Sequence, residues 1–140
     1  MERDINEIRV LKDNGFFGSV MPVMVILTGT DAQSSTNYST PFFIADRDYF
    51  VTGFRSRWET AAADGTVRLK KVTDGAAPSA GRDVTTAIPL TTAANTNVDS
   101  PLTPTTEDRL IKKGEALALE ANGLLTTIQG YTGATYLKAV

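Results

Sequence analysis

Cysteine is absent from the 140 residues. That excludes a disulfide framework, a thiolate nucleophile and a zinc–sulfur site. Histidine is absent too, which removes the commonest general base, the commonest transition-metal ligand and the usual pH switch. Ser-His-Asp and Cys-His arrangements cannot be assembled within this chain. A Ser-Lys dyad or a carboxylate pair stays open in principle. No apolar run approaches the roughly 18 residues that a membrane helix needs. The run Val20-Met21-Pro22-Val23-Met24-Val25-Ile26-Leu27 is too short to span and reads as a buried strand, with Pro22 near its start. A basic excess is missing as well. Fourteen Lys and Arg stand against 16 Asp and Glu, for a net charge of -2, which argues against a dedicated nucleic-acid binder. The expectation from these absences is a protein with no bound metal, no nucleic-acid partner and no membrane span.

What is present suits one soluble domain. Hydrophobic residues make up 41% and charged residues 21%. A chain of this length buries roughly 70% of its unfolded surface, so it needs no metal or disulfide to hold a core. The start, Met1-Glu2-Arg3-Asp4-Ile5-Asn6-Glu7, is too acidic for a secretory leader, which predicts synthesis in a cytoplasm. The sequon Asn37-Tyr38-Ser39 then reads as a chance pattern.

Turn signals punctuate the chain at Asp13-Asn14-Gly15, Asp64-Gly65, Asp74-Gly75, Lys113-Gly114 and Asn122-Gly123. Between them lie β-prone runs at 19–28, 41–45, 49–58, 66–73, 115–121 and 132–139. Threonine fills 20 positions, and its branched Cβ suits a pleated surface. Short strands between turns predict an all-β antiparallel sandwich or barrel rather than a βα alternation. Phe50, Thr52, Phe54, Ser56 and Trp58 fall on one face of a half-buried strand, with Val51, Gly53, Arg55 and Arg57 opposite. Val67 and Leu69 alternate with Arg68 and Lys70 in the same way. Asp64-Gly65 between these two runs predicts a hairpin. Asn122-Gly123 predicts a second one, joining the strand of Leu117 and Leu119 to residues 124–128. The expected core is Phe50, Phe54, Trp58, Val67, Leu69, Leu117 and Leu119. Residues 74–83 read as a surface loop, and the polar stretch 91–106 as a long crossing between sheets.

Residues 1–18 differ from the body and divide the chain into an extended N-terminal arm, 1–18, and a sandwich domain, 19–140. The arm is charged and ends in Gly15-Phe16-Phe17-Gly18. Adjacent aromatics offer large contact area at an interface, so Phe16 and Phe17 are the expected partner anchors, with Ile5, Ile8 and Val10 adding smaller contacts. The rival reading makes this segment a first strand of its own sandwich. A weak stripe over Met1–Lys12 fits a helix, although Ile8-Arg9-Val10 fits a strand as well.

Candidate chemistry is sparse. Asp46-Arg47-Asp48 lacks the additional oxygen ligands of a calcium loop and reads as a charged turn. Gly75-Ala76-Ala77-Pro78-Ser79-Ala80-Gly81 lacks the Lys and Ser/Thr that close a phosphate loop. Arg55, Arg57, Arg68, Lys70 and Lys71 are expected on two paired strands as a solvated face or a protein interface, not a nucleic-acid site.

The order of these segments resembles a known family. The stretches 44–51 and 64–75, then Ala77-Pro78, 81–86, Ile88-Pro89-Leu90, 92–96, Leu110, 113–119 and 123–128, are similar in order to the small β-sandwich decoration, or cement, proteins of tailed-phage heads. The likeness covers about residues 41–138 and rests on turn-and-strand patterns. Gly114-Glu115-Ala116 departs from the Gly-Asp-Arg often found in that family, and residues 1–40 lie outside the likeness. The resemblance implies a jelly-roll-like homotrimer on the outer face of an icosahedral capsid, with the major capsid protein as partner, no enzyme activity and no cofactor. Its implied location is the virion exterior. A second reading is a receptor- or glycan-binding sandwich of a virion fibre, using Tyr131 or Tyr136.

Overall fold

The computed structural model describes residues 20–27, 38–123, 125 and 127–140. Its longer strands are β1 (Val20–Leu27), β2 (Tyr38–Ile44), β3 (Tyr49–Arg57), β4 (Thr66–Val72), β9 (Ala116–Asn122) and β10 (Tyr131–Ala139). Four two-residue strands lie between them: β5 (Arg82–Asp83), β6 (Ile88–Pro89), β7 (Val98–Asp99) and β8 (Leu110–Ile111). A 3-10 turn at Pro78–Ala80 and a one-turn helix α1 (Thr106–Arg109) complete the described elements. The longer strands match the β-prone runs of the sequence to within a residue at each end, except β2, which covers 38–44 against the expected 41–45. The two-residue strands are too short to show any periodicity.

Two antiparallel sheets result. One has the order β1-β10-β3-β7, with β8 also on β3; the other has the order β2-β9-β4-β5, with β6 also on β4. β1 to β4 alternate between the sheets, and β9 and β10 return to the centres of opposite layers. This is the strand order of an eight-stranded jelly roll, in which β5 and β6 share one position and β7 and β8 another. The all-β sandwich expected from the sequence is thus the observed fold.

The core fills the space between the sheets. Phe54, Trp58, Val67, Leu69, Leu117 and Leu119 are buried as expected. Residues from connecting segments join them, including Val84, Leu90, Ile111, Leu125 and Ile128. Phe50 is a correction: it is half-buried and lies outside the core. The β3–β10 register slips between Tyr136 and Leu137, where Gly53 and Val51 are successive partners and Thr52 has none. Such a bulge reverses the in-out alternation. Tyr49 and Val51 therefore point inward before it, and Phe54, Ser56 and Trp58 after it. Phe50 turns outward, and the Arg109 guanidinium sits 5.1 Å from its ring centre.

Neither expected hairpin is seen among the described residues. β3 and β4 belong to different sheets, and β9 pairs with β2 and β4 rather than with any described residue of 124–128. Asp64-Gly65 and Asn122-Gly123 are corners where the chain changes layer. The two crossings run side by side. Glu59 and Thr60 N–H groups both donate to the Gln129 carbonyl, at 2.9 and 3.1 Å, and Gln129 N–H returns to Thr60 at 3.2 Å. Gly65 (φ +131°) and Gly123 (φ +98°) meet at this corner; a Cβ on Gly123 would stand 2.7 Å from the Gly65 Cα. The turn chemistry was legible, but the strands that it joins were not. Residues 91–106 do lead from one layer to the other, as expected, with β7 formed on the way.

Candidate interaction surface

Among the described residues, β1 and β2 are the edge strands of their respective sheets. The eight residues of β1 and the seven of β2 include no charged side chain. Their register sets which β1 residues face outward. Val25 is buried and Val23 half-buried on the inner face, whereas Val20, Pro22, Met24 and Ile26 oppose Lys138, Tyr136, Ala134 and Thr132 on the outer face. Met24 is 59% and Ile26 63% exposed. Among the described residues, the exposed large hydrophobic residues are Val20, Met21, Met24 and Ile26 on β1, Ile44 at the end of β2, and Val140. Val140 lies two residues beyond Lys138, the partner of Val20. Surface hydrocarbon is thereby concentrated on one side of the sandwich. The expectation of a buried strand at 20–27 is corrected accordingly: among the described residues β1 is an edge strand, with only Val25 buried.

Pro22 explains why β1 can occupy an edge. Proline has no N–H, so the Pro22–Tyr136 pair cannot exchange both hydrogen bonds of a ladder. Residues 20, 22, 24 and 26 therefore turn their backbone groups toward the open side. Proline is tolerated where its nitrogen faces away from the neighbouring strand. Edges in natural sheets are usually blunted by charge; here one proline is the only such device on β1.

Elsewhere, the polar groups mostly satisfy one another. On the outer face of the second sheet, Glu120 lies 2.7 Å from Lys70 and 3.3 Å from Arg68, and Arg68 lies 3.0 Å from Asp83. Glu120 and Lys70 are buried although they point away from the core. The 3-10 turn packs on β2 and β4, and its Ser79 carbonyl accepts from Lys70 Nζ at 3.4 Å. A cleft of about 570 Å³ opens between that loop, α1 and the 112–115 turn. Lys71 reaches its wall, donating to the carbonyls of Glu107 at 2.6 Å and Leu110 at 3.0 Å, while Arg82 lies 2.8 Å from Asp108. These charges are paired internally rather than aimed at a ligand.

The expected basic cluster is divided. β3 carries Arg55 and Arg57 in one sheet, and β4 carries Arg68, Lys70 and Lys71 in the other. Arg55 pairs with Asp99 at 2.7 Å; this holds the Asp99 carboxyl below its ordinary range and raises the guanidinium. Arg57 donates to Asn97 at 3.2 Å. Asp46-Arg47-Asp48 is the charged turn that the sequence suggested, between β2 and β3. The Tyr49 hydroxyl donates to Asp46 and depresses its carboxyl, with Arg47 adding to the effect, and Asp48 accepts from the Lys113 N–H at 2.8 Å. Among the described residues no group of three or more acidic, His or Cys side chains could hold a metal ion.

Tyr131 cannot serve as a shallow glycan platform. It is fully buried, stacked on Trp58 at 6.4 Å, with its hydroxyl 2.8 Å from Ser56 Oγ. Burial pushes its hydroxyl well above the ordinary tyrosine range. Tyr136 is half-buried on the outer face. The expected contact residues Ile5, Ile8, Val10, Phe16 and Phe17 lie outside the described residues, as do the arm, its boundary at residue 18 and the Met1–Lys12 stripe. Sequence reasoning missed the β1–β2 edge. The absence of charge from both runs gave no signal for it, because edges are usually blunted by charge.

No family model matches the chain, and no curated protein matches it. Among solved structures, it is similar to one of infectious bursal disease virus Gx strain, with a TM-score of 0.32 and 14% identity over 87% of this chain and 39% of that one. It is also similar to one of the Gt strain, with a TM-score of 0.24 and 8% identity over 86% of this chain and 40% of that one. The chain thus spans about two-fifths of the length of these virus chains. Likeness at this level assigns no function.

Proposed function

We propose that this chain is a structural virion protein that binds the outer face of a tailed-phage icosahedral capsid and stabilises it, acting as a homotrimer and not as an enzyme. The observation that supports the reading is a jelly-roll body that leaves its surface hydrocarbon along one charge-free edge. Exposed apolar patches of this kind mark protein contacts. The order of turn and strand motifs over residues 41–138 points in the same direction. A cement protein binds the assembled shell and not its separated subunits, so it favours the shell by mass action. Three linked copies engage several sites at once, and avidity offsets weak single contacts. In this reading Ile5, Ile8, Val10, Phe16 and Phe17 contact the major capsid protein.

The test uses capsids with and without the protein. It should co-sediment with expanded shells and raise the temperature at which they rupture. Deleting residues 1–18 should weaken that binding while leaving the body folded. Unchanged rupture temperature at saturating protein would remove the stabilising role. Unchanged binding after the deletion would remove the arm from attachment.

A further inference from the structure

We infer that the cleft beside the Thr52 bulge, on the outer face of the first sheet, binds one pyranose ring of a neutral saccharide. The inference stands apart from the capsid role and gives the Tyr136 reading of the sequence a site. The cleft has a volume of about 350 Å³, and its lining includes Thr52, Gly53 and Arg55 of β3, Asp99 and Ser100 at the end of β7, and Tyr136 of β10. That volume lies at the small end of the range for ligand clefts. All of these residues lie in described stretches of the chain.

Four features converge there. Gly53 stands opposite Tyr136 in the ladder. Its φ is not positive, so the backbone does not require glycine, and glycine inside a strand costs stability. Its use is space: the Tyr136 Cδ2 stands 3.5 Å from the Cβ position, and a longer side chain would fill the gap beside the ring. A strand glycine of this kind marks a place that a ligand can approach. The bulge is the second feature. Thr52 is exposed and has no partner in β10, and bulges gather at binding sites, where they re-aim side chains. The third is the fork of Arg55 on Asp99, with Nε to Oδ1 at 2.7 Å and Nη2 to Oδ2 at 3.4 Å. The pair is neutral, so it draws no ion, and it fixes a planar donor beside an acceptor. Two neighbouring sugar hydroxyls, each donor and acceptor, match that arrangement. Tyr136 offers an apolar ring face to the C–H groups of a pyranose. Last, Ser100 is 5% exposed and its hydroxyl has no hydrogen-bond partner among the described residues. Buried hydroxyls are rarely left so, and a further sugar hydroxyl would satisfy it. The larger cleft beside α1 has no aromatic residue in its lining, so it offers a sugar no apolar face.

The experiment titrates the full chain with the methyl glycosides of glucose, galactose, mannose and N-acetylglucosamine, read by saturation-transfer NMR, with circular dichroism as the folding check. At least one glycoside should bind saturably, with a Kd of about 1 mM, as suits a ligand of one ring. Tyr136→Ala and Gly53→Val should keep the spectrum and weaken binding about 10-fold or more, the worth of one aromatic contact. Valine suits a strand, and its Cβ would meet Tyr136 at ordinary contact distance. Asp74→Ala, in the exposed loop after β4 of the other sheet, is the control and should bind as the unaltered chain does. Absence of saturable binding by all of these glycosides overturns the inference. Undiminished binding by folded Tyr136→Ala and Gly53→Val also overturns it, since the sugar then sits elsewhere. If both variants fail to fold, Asp99→Asn decides, at an exposed side chain; undiminished affinity there overturns the inference. Inorganic phosphate is the charged probe. At constant ionic strength it should leave the glycoside signal unchanged, and displacement by phosphate overturns the assignment to a neutral ligand. Capsid rupture is measured separately, and its failure sinks the cement role while leaving the glycoside result standing.

Discussion

Gly65→Ala probes the corner on which the two layer crossings depend. The residue has φ +131°, and a Cβ there would stand 2.7 Å from the Asn122 carbonyl oxygen and overlap the Leu125 side chain. The carbonyl belongs to the backbone of the other crossing and cannot rotate away. Holding alanine at that φ costs about 1–2 kcal/mol, and forcing extra volume into a packed site costs about 1–3 kcal/mol more. The expected loss is about 4 kcal/mol, a large share of the roughly 5–15 kcal/mol that holds a domain folded. Gly114→Ala is the internal control, because Gly114 has φ +88° with nothing within 4 Å of its Cβ position. Only the conformational cost applies there, about 1 kcal/mol. Thermal unfolding followed by circular dichroism separates the two. At roughly 4 °C per kcal/mol for a chain of this size, Gly65→Ala should melt about 12 °C below Gly114→Ala. Equal melting temperatures would show that the crossings do not touch at Gly65, and the corner described above would be wrong.

Tyr131→Phe leaves the buried Ser56 hydroxyl without its partner, and should cost about 1–2 kcal/mol, much of it restored by adding Ser56→Ala; denaturant midpoints of the two single variants and the double variant check this. Burial raises the Tyr131 hydroxyl above its unfolded value, so its contribution is full below about pH 10 and is lost as pH rises beyond that; Tyr131→Phe should flatten the stability loss measured between about pH 10 and 12. Glu120→Ala strips Lys70 and Arg68 of a shared carboxylate and should destabilise by about 3 kcal/mol, whereas replacing Glu120 and Lys70 together with Leu and Met should recover most of it; a double variant no better than the single one refutes the pairing. Ala93 has φ +59°, so Ala93→Gly should stabilise by roughly 0.5 kcal/mol, relieved strain outweighing the added chain entropy, and a lowered melting temperature would contradict that geometry.

The functional residues were less legible than the fold, for a physical reason. Catalytic sites announce themselves by residue types at fixed spacings, whereas an interface is announced by which strand ends at an edge. The run Val20–Leu27 looks the same in sequence whether it lies at the centre of a sheet or at its margin. Only the pairing of β1 with β10 on one side, with no described strand on the other, exposes Met24 and Ile26. The burial of Glu120 and Lys70 was equally hidden, because the 3-10 turn that packs on β4 and accepts from Lys70 belongs to a loop that reads as plain surface.

By itself the sequence determined where the long strands lie, because alternation and β-branched content act on neighbours two residues apart. It also determined where the chain turns, because Asp64-Gly65 and Asn122-Gly123 supply the positive φ locally. The lack of His and Cys excluded whole classes of chemistry without any structure. Tertiary structure decided which strands meet. β1 pairs with β10, from the other end of the chain, and β4 with β9, through backbone hydrogen bonds that carry no residue code. It decided the fate of Phe50, because the bulge at Thr52 is seen only in the register of β3 against β10. It formed β5 to β8, two residues each, where a neighbouring strand supplied the ladder that their own sequence could not specify.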